Sequence, residues 1–363
     1  MYIRHLFLVF FLLISIAVFA NMGQPYREGS SHSLLFFGKE LEVSAESIKI
    51  KVISDDTIQE SAYYATQYEI SYEVSSGQAR LLPLLFIAIG LEDKPLIKIN
   101  GKIVNAADVK AAMKKGDPKF YPFLKPHDGD DVGVFYEKGK EEIVNVNSLV
   151  YFEADLKKGK NTITVAYKAV MGYNTYGFYR SLDIDYALFP SKYWASFGPI
   201  KIDLELPEEL RLESASVGEA RKNKNIYSWT LNKLPEQDLK IVIIPVFSLL
   251  SKVLLAISPL GLATIGFSGL FYLHFLALKK RKQAMKTGFN WVLTLGIVFV
   301  PVLFYVFFLL AYDLIDWSLA KHSLGRHGYV FLVVLSLPLF WVVYWVLMLW
   351  LNSRILTSAE QGK

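Results

Sequence analysis

The sequence predicts an all-β region followed by three membrane-spanning helices, and two observations carry that reading. Residues 253–278, 289–312 and 329–351 hold no Asp, Glu, Lys or Arg over 26, 24 and 23 residues. About 20 apolar residues in a helix cover a hydrocarbon core roughly 30 Å thick. Ahead of them, apolar and polar residues alternate with a period of two through much of 40–246, the pattern of strands that bury one face.

Taken in order, the chain starts with Arg4, then an apolar run at 6–19, then Val18-Phe19-Ala20 with small residues where a signal peptidase reads. Residues 1–20 are therefore expected to be a signal peptide cleaved after Ala20. An uncleaved anchor with Arg4 inside would export the rest of the chain equally well.

Residues 21–248 are expected to form the exported β region. Leu41-Glu42-Val43-Ser44-Ala45-Glu46, Ile48-Lys49-Ile50-Lys51-Val52 and Tyr68-Glu69-Ile70-Ser71-Tyr72-Glu73-Val74 all alternate. Asn100-Gly101 between two apolar runs signals a hairpin, because both residues tolerate the positive φ of a tight turn. Residues 152–156 and 162–167 read as strands joined by the turn Lys157-Lys158-Gly159-Lys160. Further strands fit 182–188, 200–206, 210–217, 226–231 and 239–244. This spacing suits a β-sandwich, or two small ones in tandem. A helix is expected at 106–115 with Asp108 near its start, and 115–131, rich in Pro, Gly and charge, reads as a loop or joint.

The membrane region then divides into a first helix (249–278), a basic loop (279–288), a second helix (289–312), a loop (313–328), a third helix (329–351) and a tail (352–363). Pro301 and Pro338 are expected to kink their helices mildly. The first loop carries Lys279, Lys280, Arg281, Lys282 and Lys286 and no acid, whereas the second balances Lys321 and Arg326 against Asp313 and Asp316. Short loops rich in Lys and Arg stay in the cytoplasm. The basic loop and the tail are therefore inside, and the second loop and the β region outside. Eight residues, 245–252, join the last strand to the first span; fully extended they reach about 25–28 Å. The β region must sit close to the bilayer.

Composition narrows the function. The net charge of +5 hides an asymmetry: residues 21–250 hold 28 Lys or Arg against 31 Asp or Glu, residues 251–363 hold 10 against 3. The basic excess flanks the membrane, so nucleic acid is not an expected partner. The absence of cysteine excludes disulfides, thiol nucleophiles, cysteine metal sites and a lipoprotein anchor. With no N-x-Ser/Thr sequon in the exported part either, the composition points to a bacterial inner-membrane protein.

Several motifs bear on chemistry. Gly266-Phe267-Ser268-Gly269 resembles the G-x-S-G of rhomboid-type intramembrane serine proteases, with His274 six residues on. That family draws its Ser and His from different helices of a larger bundle. Here six residues turn about 240° around one helix, so Ser268 and His274 face apart. Gly261, Gly266 and Gly269 are instead expected to let helices pack closely. Asp313, Asp316, His322 and His327 are candidate metal ligands on the outer loop, although their spacing fits no ligand motif. His127-Asp128-Gly129-Asp130-Asp131 lacks the alternate ligands and closing Glu of a calcium loop. Tyr173, Tyr176, Phe178 and Tyr179 crowd 172–181 and could bind a sugar or a partner surface, or simply pack. The third span is bulky on one side, through Phe340, Trp341, Tyr344 and Trp345, and Trp350 is expected at the inner interface.

Tyr186-Ala187-Leu188-Phe189-Pro190-Ser191-Lys192-Tyr193-Trp194 and Gly198-Pro199-Ile200-Lys201-Ile202-Asp203-Leu204, ahead of C-terminal membrane helices, resemble bacterial envelope proteins grouped as a domain of unknown function. The resemblance implies a fold and a compartment, but no activity, cofactor or site residue. The expected function is a membrane-attached binding or accessory subunit without a cofactor. Its partners would be the lipid bilayer and another membrane protein. The rival is an envelope enzyme, a metal-assisted hydrolase built on the outer Asp and His residues.

Overall fold

In the computed structural model, residues 27–360 are described apart from 29–32, 37–40, 58–62, 89, 115–123, 138–139, 176, 187, 189–195, 234, 236–237, 285–287 and 320–327. Ala20 and the signal-peptide reading lie outside the described residues. The first strands are β1 (Arg27–Glu28), β2 (Ser33–Phe36), β3 (Glu42–Ser54), β4 (Tyr64–Ser76), β5 (Arg80–Ala88), β6 (Leu96–Ile99) and β7 (Lys102–Val104). A short helix, α1 (Val109–Lys114), precedes β8 (Leu124–Pro126), β9 (Asp131–Glu137), β10 (Lys140–Asn145) and β11 (Leu149–Leu156). Then come β12 (Gly159–Val170), β13 (Gly172–Asn174), β14 (Ser181–Tyr186), β15 (Ser196–Phe197) and β16 (Ile200–Glu205). The series closes with β17 (Leu210–Ala215), β18 (Arg221–Asn223), β19 (Ile226–Leu231) and β20 (Leu239–Pro245).

These strands form several sheets. The largest has the order β18-β19-β16-β3-β4-β12-β6-β7, with β15 also on β3. A second runs β1-β13-β14-β20-β17, a third β11-β5-β2 and a fourth β10-β9-β8. One apolar cluster joins the inner face of the large sheet (Ile48, Ile50, Ile70, Val165, Ile202) to β14 and β20 (Ile184, Ile241, Ile243) and to β5 and β11 (Leu84, Phe86, Phe152). The other faces of β5 and β11, through Leu85, Ile87 and Tyr151, meet Val132, Val134 and Val144 in a second cluster. β5 is therefore buried on both sides. That accounts for its unbroken run Leu84-Leu85-Phe86-Ile87-Ala88 where a half-exposed strand would alternate.

Most of the alternating segments form strands close to the expected bounds. The Asn100-Gly101 hairpin joins β6 to β7 with φ of 52° and 81°. Lys157–Lys160 behaves differently. β11 pairs with β5 while β12 pairs with β4 and β6, so the turn passes the chain between sheets instead of closing a hairpin. Asn161 holds it, accepting from Lys157 N at 2.9 Å and donating to Lys157 O at 2.8 Å. The 115–131 segment is not loop throughout, since β8 occupies part of it. Asp108 caps α1, its Oδ1 accepting from Ala111 N at 2.9 Å.

Three helices are long and apolar enough to cross a membrane: α2 (Leu249–Gln283), α3 (Trp291–Ser318), and a 3₁₀ turn (Gly328–Ser336) running into α4 (Leu337–Glu360). α2 extends through four of the loop's basic residues, which suits the negative end of its dipole. Pro338 is the second residue of α4, where the 3₁₀ turn passes into α-helix. A break lies in α2. Ser258, before Pro259, has φ 67° and ψ 163° and divides α2 into residues 249–257 and 259–283.

Candidate functional site

The distinctive construction is the seam where sheets meet helices. β20 leads through Val246, Phe247 and Ser248 straight into α2. Val246 N donates to Glu209 O at 2.8 Å, which continues the β17–β20 ladder by one bond. Phe247 packs edge-on to Tyr179, ring centroids 4.9 Å apart, with the Arg211 guanidinium 5.9 Å from its ring. Ser248 caps the helix, its Oγ accepting from Ser251 N at 3.0 Å. Beside it, Phe178 meets Tyr312 of α3 edge-on at 6.5 Å. Arg180 lies over Tyr173 at 4.9 Å. In the aromatic segment of 172–181, Phe178 thus bridges the β region to α3 while Tyr179 packs on the junction; Tyr176 is outside the described residues.

At the far end of the bundle the three helices meet on one side chain. His274 of α2 is buried, with Nδ1 2.8 Å from Tyr344 Oη of α4 and Nε2 3.1 Å from Val292 O of α3. A carbonyl only accepts, so Nε2 carries a proton and donates it to Val292 O. The imidazole lies against Gly296, where a Cβ would fall 2.1 Å from the ring. In the sequence Gly296 is marked only as a glycine in an otherwise bulky apolar helix. Trp341 Nε1 donates to Ile297 O at 2.6 Å, a second link between α3 and α4.

The residues singled out from sequence are scattered. A Cβ on Gly266 would lie 2.5 Å from the Phe307 ring of α3, whereas one on Gly261 would meet Ile257 of its own helix at 2.9 Å. Around Gly269 nothing lies within 4 Å of that position. Ser268 Oγ donates to Thr264 O at 2.8 Å, within its own helix, while His274 is held elsewhere. Asp313 and Asp316 are exposed on the last turns of α3; His322 and His327 lie outside the described residues. Asp130 of the acidic turn pairs with Lys110 at 2.5 Å, and His127 N donates to Asp131 O at 3.0 Å. Among the described residues no three His, Cys, Asp or Glu side chains come together as a metal site would require. Trp350, at the same end as the basic cluster, lies 5.6 Å from the Arg354 guanidinium.

Two further features belong to the β region. The outer face of the large sheet forms an open cleft of about 790 Å³, lined by Lys49, Lys51, Glu69, Lys168, Lys201 and Asp203 among others. Its charges pair, across strands for Lys49 with Glu69 at 2.7 Å and Lys51 with Glu205 at 2.9 Å, and along β16 for Lys201 with Asp203 at 3.0 Å. Lys168 pairs with Asp55, whose carboxyl that bond and the Thr57 hydroxyl pull down to about 2. Inside the core, Glu46 is buried; it accepts from Tyr186 Oη at 3.0 Å, and Tyr186 bonds Tyr72 Oη at 3.1 Å. Burial pushes the Glu46 carboxyl up to about 7, the tyrosine hydrogen bonds offsetting part of the shift. The same burial, with Glu46 nearby, pushes both tyrosines well above their usual range. No lining residue of the cleft belongs to this triad, so it reads as core.

No family model matches the chain, and no curated protein matches it in sequence. Among solved structures it is similar to a candidate nutrient binding protein of Legionella pneumophila, at 11% identity over 59% of this chain and 70% of that one, with a TM-score of 0.41. It is also similar to the LTA4 hydrolase of yeast, at 8% identity over 63% of this chain and 32% of that one (TM-score 0.29). A third is an M1 zinc metallopeptidase of Deinococcus radiodurans, at 8% identity over 57% and 43% (TM-score 0.25). The chain spans less than half the length of either enzyme. At these scores the likenesses assign neither a function nor a site.

Proposed function

We propose that the chain is a bacterial inner-membrane protein whose three helices cross the bilayer, and that it works as a binding or accessory subunit. On this reading the β region is a sandwich, with the large sheet facing the smaller ones across the shared core. It stands outside the cytoplasm and is held at fixed registration over the helices. The charged cleft of the large sheet is the surface it offers to a polar partner. One observation carries the reading: the two ends of the helix bundle differ. At one end lie Lys279, Lys280, Arg281 and Lys282, and Arg281 donates to Phe289 O at 2.8 Å. At the other lie the seam with the β region and a bond from Ser251 Oγ to Ser318 O at 2.5 Å. Basic flanks remain in the cytoplasm, so the seam faces outward. For the metal-hydrolase alternative, no group of three His, Cys, Asp or Glu occurs among the described residues, which include Asp313 and Asp316 but not His322 and His327.

Topology reporters test this. A reporter joined after Lys286 should be active only in the cytoplasm, and one joined after Ser318 only outside it. The reverse pattern would overturn the orientation. Purification in mild detergent should bring down a second membrane protein, and Lys49→Glu with Lys201→Glu should weaken that capture without changing the topology.

A further inference from the structure

We propose that residues 249–257 form an interfacial helix lying in the outer headgroup layer, with Leu249, Leu250 and Val253 sunk in lipid, and that it fixes the height of the β region over the membrane. The inference rests on the spanning reading above and goes beyond it by assigning this segment a lipid-binding face.

The first ground is that the segment is a helix in its own right. Ser248 caps its start, and it stops at Ser258. Ser258 in turn caps the following piece, its Oγ accepting from Gly261 N at 3.3 Å, and Pro259 fills the first helical position that proline favours. A φ of 67° with ψ of 163° is a conformation side chains avoid, so the break is built in despite its strain.

The second ground is length. Residues 259–278 rise about 30 Å at 1.5 Å per residue, enough to cross the hydrocarbon without help. The antiparallel pairing of α2 with α3 gives the level: His274 beside Val292, Gly266 beside Phe307, Ser251 beside Ser318. Residues 249–257 therefore lie level with the last turns of α3, past Tyr312 and next to Asp313 and Asp316. Trp317, 74% exposed, sits at this level, as tryptophans of an interfacial belt do.

The third ground is the face itself. At 100° per residue, positions 249, 250 and 253 fall within one 100° sector. Leu249 is 80% exposed and Leu250 and Val253 each 48%, while Ser251 and Leu254 on the other side are buried against the bundle. Lys252 flanks the sector and is exposed, placed for headgroup phosphates. Lipid is the occupant that fits, since this face is one helical break from a span and cannot leave the membrane surface.

The chain has no cysteine, so single nitroxide labels test the placement in the full-length protein. The labels go on Leu249→Cys, Leu250→Cys, Val253→Cys, Lys252→Cys and, as a mid-bilayer reference, Ile265→Cys, all reconstituted in phosphatidylcholine–phosphatidylglycerol vesicles. Collision with oxygen and with a nickel chelate is read for each. Labels at 249, 250 and 253 should be oxygen-accessible at a depth of about 5–10 Å, shallower than that at 265, and the label at 252 nickel-accessible. If 249, 250 and 253 match 252 while 265 stays deep, the interfacial helix is wrong and the span stands. If the three are shielded from both reagents, protein covers the face, which equally defeats the proposal. A nickel-accessible 265 would remove the spanning reading, and the inference with it.

Discussion

Glu46 shows how one residue out of phase changes the chemistry of a core. Buried Leu41 and Val43 occupy odd positions, buried Ile48, Ile50 and Val52 even ones. Both runs face inward only if the strand gains a residue between them, and a bulge between Val43 and Ala45 supplies it. The bulge turns Glu46 inward, to 3% exposure, opposite Tyr72. Read as simple alternation, the sequence made Glu46 an outward residue; the phase change was the overlooked signal. Among the described residues the groups around the carboxyl are hydroxyls: Tyr72 and Tyr186 bond about it, with Tyr167 nearby. Its folded value, about 7, exceeds the ordinary 4.5. The folded state thus holds the proton more tightly, and stability falls as pH rises from about 4.5 through 7. The full loss amounts to about 3 kcal/mol above that window. Glu46→Gln keeps an acceptor for Tyr186 and has no proton to lose. Thermal unfolding of the two proteins at pH 5 and pH 8 should show the wild type losing stability and the variant gaining relative to it at pH 8. Parallel pH profiles would refute a buried, titrating Glu46.

At the scale of elements, the bulge has a partner. β15 and β16 run parallel to β3 on either side of Gly198-Pro199, which lies opposite Ser44-Ala45. Gly198 N donates to Val43 O at 2.7 Å and Glu46 N to Pro199 O at 3.0 Å, so the interrupted strands stay in register across the gap. A Cβ on Gly198 would lie 1.9 Å from Ser44 O, a clash with backbone that no rotamer relieves. Gly198→Ala should cost about 2–3 kcal/mol, seen as a lower unfolding temperature; an unchanged melt would mean that the strands do not approach as described. The individual strands were legible because each carries its own alternation. Their partners were not: β3 pairs with β16 across some 150 residues, and no local pattern encodes that choice. The second core was hidden for a related reason, since a strand buried on both faces loses the period-two signal. Among the helices, charge-free length marks all three; the break at Ser258 has only the Ser258-Pro259 pair as its local signal.

For the whole molecule, the question is whether the β region is tethered or docked. Sequence gave the short junction; it could not say which side chains would meet across it. Phe178 comes from a β-region segment some 130 residues before Tyr312, its contact on α3, and its neighbour Tyr179 meets Phe247 of the junction. Together with Phe247, Arg211 and the Glu209–Val246 bond, they hold the domain at several points, and a rigid body held at several points has one orientation. Edge-on aromatic pairs contribute about 0.5–1.5 kcal/mol each beyond burial, enough to bias the docking yet few enough to remove. Nitroxides on Ile226→Cys in the β region and Trp317→Cys on α3 should therefore give a narrow distance distribution by pulsed dipolar spectroscopy. Phe178→Ala with Tyr179→Ala should broaden it. A flexible linker of about 15 residues after Phe247 should broaden it further, while His274, Gly296 and Tyr344 keep the helices together and the detergent-purified protein intact. If the distribution is already broad in the unaltered protein, or stays narrow with the linker in place, the docked arrangement fails and the junction is only a tether.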